Sequence, residues 1–218
     1  MFIQTEEGLD ALNVTAFPLS QSYEDVMEAV RSLCNEKHEY STVVLDSADW
    51  LEQLIWKKVA LNNKVGSIED IGYGKGYIFA LDLWKDILEG FDLLRNEKNM
   101  QVIMLAHTQI KRFDDPLTDS YDRYILDLHK GGASIISEWC DILAFANYTV
   151  STIKSDVGFN QKKTRAIGAG MRVLHTQERP GWVAKSRWAI PETLPMNYAD
   201  FSTALATAMT PPKENAND

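Results

Sequence analysis

Cysteine is scarce. Cys34 and Cys140 are the only two in 218 residues, and they form no CxxC pair. Two such thiols cannot build a disulfide framework, so a reducing compartment with both thiols buried is expected. Histidine is nearly as sparse. His38, His107, His129 and His175 stand at no metal-ligand spacing from one another or from the cysteines, which argues against structural zinc. No apolar run approaches the length of a membrane span. The opening "MFIQTEEGLD" lacks the basic region and apolar stretch of a signal peptide. The chain also lacks GxxxxGK[ST], the loop whose backbone amides and lysine cradle phosphates.

What remains is an ordinary globular composition, 45% hydrophobic and 24% charged, long enough for one domain with a substantial core. Residues 1–210 are expected to form that single domain, with "PPKENAND", 211–218, as a disordered tail. The net charge of −9 argues against a general nucleic-acid-coating surface. Charge is unevenly spread, however. Residues 160–190 carry Lys162, Lys163, Arg165, Arg172, Arg179, Lys185 and Arg187 against the single acid Glu178. Such a segment can meet phosphate, or it can be a solvated hairpin surface.

Strand and helix patterns alternate. "MFIQT" reads as a short strand, and "SYEDVMEAVRSL" as a helix with Ser22 at its N-cap. "TVVLDS" is a continuous apolar run, the pattern of a strand buried on both faces. "ADWLEQLIWKKVAL" is helical, and a long amphipathic helix runs from about Gly76 to Glu97. "QVIMLAHTQ" is a second buried strand, followed by a polar, irregular stretch at 110–131. "ASIISEWC" reads as a short helix, "DILAFANYTV" as an apolar strand, "MRVLHT" and "GWVAKSRW" as hairpin strands, and "YADFSTALATAM" as a closing helix. The alternation implies an α/β fold with a mostly parallel sheet covered by helices on both faces. Ligands of such sheets sit at the carboxyl ends of the strands.

Three of those ends carry chemistry. "FIQTEEG" ends in Glu6 and Glu7, "TVVLDS" in Asp46 and Ser47, and "VIMLAHTQ" in His107, Thr108 and Gln109. A carboxylate after four apolar strand residues is the Walker B pattern, which holds the water shell of a phosphate-bridging magnesium ion; Asp46 fits it. Glu6 could polarise an attacking water. His107 or Gln109 could hydrogen-bond a terminal phosphate. Any one of these alone is equally a strand that ends in solvated polar residues; their joint occurrence carries the reading. The glycine cluster in "IEDIGYGKGY" does not supply the phosphate loop. Lys75 is followed by Gly76 rather than Ser or Thr, no apolar strand leads in, and the glycines are spaced GxGxG. A connector and helix start is expected there.

The runs "FIQTEEGLDAL", "TVVLDSADWLEQLIW", "SIEDIGYGKGY", "VIMLAHTQIKRFDDP", "YDRYILDLHKGGASIISEWCD", "ERPGWVAKSRW" and "IPETLP" together resemble the phage-encoded RecA-like ATPases of the AAA and P-loop class. Those proteins are linked to single-strand annealing recombination. The resemblance covers roughly residues 2–196. It implies a RecA-like P-loop core with C-terminal β-hairpins, ATP and Mg²⁺ bound between subunits of a ring or filament, single-stranded DNA as partner, and the host cytoplasm as location. Asp46 then resembles the Walker B acid, with Ser47 beside the nucleotide. Glu6 resembles the water-polarising glutamate, although Gln4 stands where relatives have an acid. His107 and Gln109 resemble the sensor end of the following strand. Lys185 and Arg187 resemble a Lys-x-Arg finger pair that enters a neighbour's site. Lys75, Tyr77, Lys111, Arg112 and Lys130 lie where RecA-like recombinases place DNA-contacting loops, and Tyr73 or Phe113 could stack on bases.

The departure from the family pattern is the phosphate loop. Its strand and helix would precede "FIQTEEG", and the expectation for the chain as written is weak ATP binding or none. A non-enzymatic DNA-binding or assembly subunit is the alternative. A third reading is an unrelated Mg²⁺-dependent hydrolase or nuclease using Glu6 and Asp46.

Overall fold

The structure is a computed structural model that describes residues 1–156 and 162–210, with side chains described outside 150–169. In chain order its elements are β1 (Phe2–Gln4), α1 (Tyr23–Asn35), β2 (Thr42–Asp46), α2 (Ala48–Asn62), α3 (Lys75–Lys98), β3 (Gln101–Met104), β4 (Thr108–Phe113) and β5 (Tyr121–Leu126). They continue with α4 (Lys130–Trp139), β6 (Ile142–Leu143), β7 (Phe145–Asp156), β8 (Lys162–His175), β9 (Lys185–Ser186), β10 (Thr193–Pro195) and α5 (Tyr198–Met209). Two compact units share the chain: Met1–Gln109 with Leu126–Trp139, and Ile110–Ile125 with Cys140–Asp218. No helix among the described residues is long and apolar enough to cross a membrane.

The first unit holds the parallel sheet, in the order β1-β2-β3. Phe2 is in register with Val44 and Gln4 with Asp46, while Val43 pairs with Val102 and Leu45 with Met104. Parallel strands need long crossovers, and here these are α1 and the α2–α3 pair. The three helices contact one another. On β2, Val43 and Leu45 are fully buried, while Thr42, Val44 and Asp46 between them keep some exposure. The two-faced burial expected of "TVVLDS" is therefore complete on one face only. The outer edge of β1 is covered by its own chain: Phe2 N–H donates to Thr15 O at 2.9 Å, and Ser20 N–H to Gln4 O at 2.9 Å. That backbone cover satisfies groups an open edge would leave bare.

Local signals set the helices. Ser22 caps α1 in a reciprocal capping box with Asp25, and Val26, Ala29, Val30 and Leu33 form the buried stripe that the spacing predicts. The glycine cluster is a connector and helix start. A 3-10 turn, Ile68–Ile71, leads into Gly72 and Gly74, which take φ of 66° and 67° and flank Tyr73 at 51°. Positive φ at those positions suits glycine. Trp84, Ile87, Phe91 and Leu94 of α3 enter the core with no exposure.

Elsewhere the sheet departs from expectation. Among the described residues the parallel sheet has three strands. β7 and β8 form a long antiparallel hairpin joined by β10, and β6 pairs antiparallel with β9. "DILAFANYTV" thus feeds an antiparallel pair rather than the parallel sheet, because fewer residues separate β7 (Phe145–Asp156) from β8 (Lys162–His175) than a parallel crossover needs. The stretch 110–131 is irregular only in part: β4 and β5 pair on either side of the turn at 114–120, and α4 begins at Lys130. Phe113, ending β4, and Tyr121, opening β5, pack ring to ring at 5.5 Å. Cys34 and Cys140 are half-buried rather than buried. The tail 211–218, the segment 157–161 and the side chains of Lys162, Lys163 and Arg165 lie outside the described residues.

Gly90 lies where α3 meets α1. A Cβ there would stand 2.7 Å from Val30 Cγ1, and Val30 is buried and β-branched, so it has little room to turn. Alanine would gain about 1 kcal/mol of helix propensity, against about 1–3 kcal/mol for overpacking. Gly90→Ala is expected to destabilise by about 1 kcal/mol in urea titrations; a stabilised variant would show that α1 yields.

Glu52 supplies a second test. It is 3% exposed and reaches from α2 to the start of α4, where Oε2 accepts from His129 N–H at 2.8 Å. Burial pushes its carboxyl up to about 7, against the pull of the His129 amide and of the nearby Trp84 indole, with Asp49 and Asp127 adding to the rise. Trp84 Nε1 lies close enough to act electrostatically but makes no hydrogen bond of good geometry. A raised carboxyl stabilises the fold fully below the ordinary glutamate value, and that stability is lost as pH rises through about 7. Stability is therefore expected to fall between about pH 5 and pH 8 by at most ~3 kcal/mol. Glu52→Gln should flatten that slope in unfolding curves taken across the range.

Candidate functional site

The parallel register brings three strand ends to one edge. Thr5, just past β1, fixes the first two. Its N–H donates to Asp46 O at 2.7 Å. Its hydroxyl donates to Ser47 O at 2.7 Å and accepts from Ser47 N–H at 2.8 Å. Thr5 and Ser47 are buried, and the Asp46–Ser47 peptide is cis. Glu6 and Asp46 are thereby held side by side. The third end follows β3, where Leu105 N–H donates to Leu45 O and Leu105 O accepts from Ala48 N–H. His107 comes next, and Asp49 in the first turn of α2 holds it: Oδ1 accepts from His107 N–H at 3.0 Å and Oδ2 meets ring Nδ1 at 2.9 Å. Glu6 Oε1 lies 3.9 Å from the same nitrogen.

The electrostatics follow from that packing. Burial raises the Asp46 carboxyl above the usual aspartate range, and Glu6 and Asp49 add to the rise against the pull of His107. Burial alone would raise Asp49 too, but the hydrogen bonds from the amide and ring of His107 outweigh it and leave Asp49 lowered. The Asp49 hydrogen bond raises His107 against its burial, and the charges of Asp49, Glu6 and Asp46 reinforce it. Ser47 Oγ also helps to lower Asp49, although it is buried with no hydrogen bond of good geometry.

Three carboxylates around one imidazole make a rim of excess negative charge. Among the described residues no group of three or more His, Cys, Asp or Glu is arranged to hold a metal directly. A magnesium ion keeps several of its waters, so this donor set fits a hydrated cation held by Asp46 through water.

Glu6, Asp46 and His107 are brought together as the strand-end pattern predicts. Gln109 is not with them; it is the second residue of β4, and its Nε2 donates to Leu126 O at 3.5 Å. Lys185 is in β9 opposite Leu143, and Arg187 Nη1 lies 2.9 Å from Asp141 Oδ1. Lys75 opens α3 and Lys130 opens α4, both exposed; Lys111 and Arg112 are exposed on β4. Tyr77 is committed internally: its hydroxyl binds Glu69, its ring stacks on His129 at 4.2 Å and meets the Trp56 edge at 5.4 Å. Tyr73 is the fully exposed aromatic of that turn.

Sequence reasoning passed over Thr5, Asp49 and Glu52. Threonine after a strand is unremarkable, and an acid in a first helical turn reads as a complement to the helix dipole. One signal was available for Asp49: it stands three residues after Asp46, in the first turn of α2, which keeps it at the same sheet edge.

A family model described as an AAA domain matches residues 1–188. No curated protein and no solved structure gives a significant match. The chain belongs to this AAA domain family, a nucleotide-binding group of ATPase type.

Proposed function

We propose that this chain is a phage-type RecA-like recombination protein that binds ATP with magnesium at its strand-end rim and handles single-stranded DNA as a cytoplasmic homo-oligomer. The observation that carries the reading is the convergence of Glu6, Asp46 and His107 on one edge of a parallel sheet, within a family of nucleotide-binding ATPase type. In this reading Asp46 would hold a hydrated magnesium ion through water, and the ion would supply neutralisation of phosphate charge. Glu6 accepts a proton from a water at the rim. The protonated His107 ring donates from Nε2–H to an anionic oxygen. Lys185 and Arg187 serve a neighbouring subunit's nucleotide, and Arg187 exchanges its Asp141 partner for phosphate on doing so. Lys75, Lys111, Arg112 and Lys130 give exposed cations for a DNA backbone.

A second reading, a DNA-binding or assembly subunit without hydrolysis, is favoured by one observation: Lys75, Lys111, Arg112 and Lys130 are exposed cations that need no nucleotide to meet a phosphate backbone.

Calorimetry with ATP and Mg²⁺ tests the first reading. Asp46→Asn is expected to weaken magnesium-dependent ATP binding by about 10–100-fold with the fold intact by circular dichroism. Equal affinity in both proteins would remove Asp46 from the site. Single-stranded DNA binding that weakens with salt, with no nucleotide bound by either protein, would select the second reading.

A further inference from the structure

We propose that Asp49 is a positioning residue for His107: by accepting from both the backbone N–H and the ring Nδ1–H of residue 107, it orients the ring and holds the doubly protonated imidazolium, whose Nε2–H donates to a terminal phosphate oxygen of a nucleoside triphosphate. The inference rests on the nucleotide reading above and adds a specificity role to it.

The geometry is that of an anchor and an anchored group. Both Asp49 oxygens are spent on one residue, at 3.0 Å and 2.9 Å. The Asp49 side chain keeps 15% of its exposure and that of His107 59%. Asp49 stands on α2, a regular 15-residue helix, whereas His107 lies in the connection between β3 and β4. The Asp127 N–H that binds His107 O at 3.0 Å holds the main chain there but not the ring. The other acids facing His107 are Glu6 beyond β1 and Asp46 at the end of β2. Glu6 at 3.9 Å is too far from Nδ1 for a hydrogen bond. Asp49 is therefore the described carboxylate that keeps a proton on Nδ1, and the opposite nitrogen is the one presented. In the imidazolium, Nε2–H is a charge-assisted donor that favours a ligand with a further anionic phosphate group, which is the difference between a triphosphate and a diphosphate.

A residue that merely complements the helix dipole would not control a ring tautomer. Asp49→Asn separates the two roles. The amide has one acceptor and one donor, where the carboxylate faces two donors. With the amide oxygen on the backbone N–H, its NH₂ meets Nδ1, so the ring is held neutral with its proton on Nε2, and the donor there loses the charge that strengthens its bond to phosphate.

The experiment is ring ¹⁵N NMR of His107 in the full chain without nucleotide, paired with Mg²⁺-ATP and Mg²⁺-ADP titrations. The wild type is expected to carry its proton on Nδ1 at alkaline pH. Asp49→Asn should shift it to Nε2, move the ring titration to lower pH, and cut the preference for ATP over ADP about tenfold. An unchanged tautomer in Asp49→Asn overturns the proposal, as does an Nε2–H tautomer in the wild type, which can be read even if the variant does not fold. A tautomer that switches while neither protein binds nucleotide retains the positioning role and overturns the phosphate role together with the nucleotide reading. Nucleotide binding with no tautomer change overturns the positioning role alone.

Discussion

The buried hydroxyl of Thr5 is the joint on which the rim depends. It bonds both backbone groups of Ser47, one as donor and one as acceptor, while its own amide takes Asp46 O. Apolar side chains of β1 and β2 decide that these strands lie side by side and which face is buried. They do not decide how the chain leaves the sheet. The Thr5 contacts do, by turning two consecutive peptide units of β2 toward the end of β1. Valine at this position would fill similar space and leave the Ser47 amide buried without a partner, a cost of about 1–3 kcal/mol. The bond from the amide of residue 5 to Asp46 O belongs to the backbone and would remain, so the loss falls on the Ser47 end of the joint.

Once the acids are held together, the fold must accommodate their mutual repulsion. Asp46, Glu6 and Asp49 face one imidazole, and the imidazole answers only part of that charge. Half-exposure of the rim supplies the rest, since water and counterions screen what the protein leaves unpaired. This is a stable compromise without a ligand and a favourable one for a hydrated cation, which would relieve the same repulsion that raises the Asp46 carboxyl.

Much of this was legible before the structure. Continuous apolar runs ending in polar residues locate β1, β2 and β3, and the capping residue Ser22 and the stripe of Val26, Ala29, Val30 and Leu33 locate α1. Periodicity is a local property and reports these elements well. It fails where partners are chosen by connection length: the apolar run at 141–150 looks like another parallel strand but turns back into a hairpin. It also fails where a polar strand hides among aspartates, as at 108–126. Glu6, Asp46 and His107 could be named from strand ends because direction along a parallel strand converts sequence position into place. Gln109 could not be placed that way. Two residues beyond His107 the chain has already entered β4, and its amide is engaged with Leu126.

Asp49 and Glu52 show why the remaining site residues were out of reach. Both are acids of α2, three residues apart, and each accepts from the backbone N–H of a histidine in a connecting segment. Their charges nonetheless diverge. Asp49 gains a second partner in the His107 ring and stays lowered despite its burial. Glu52 is buried more deeply, with its second oxygen toward an indole that does not complete a hydrogen bond, and rises to about 7. The identity of the side chain sets neither outcome; the number of donors that the tertiary fold brings to each carboxylate does. One helix thus carries an acid that stays ionised and holds the His107 ring at the rim. A turn later it carries one that is close to balance between its two protonation states and ties down the start of α4. A sequence pattern records both as first-half helix acids, and only the packing of α2 against two histidine-bearing segments tells them apart.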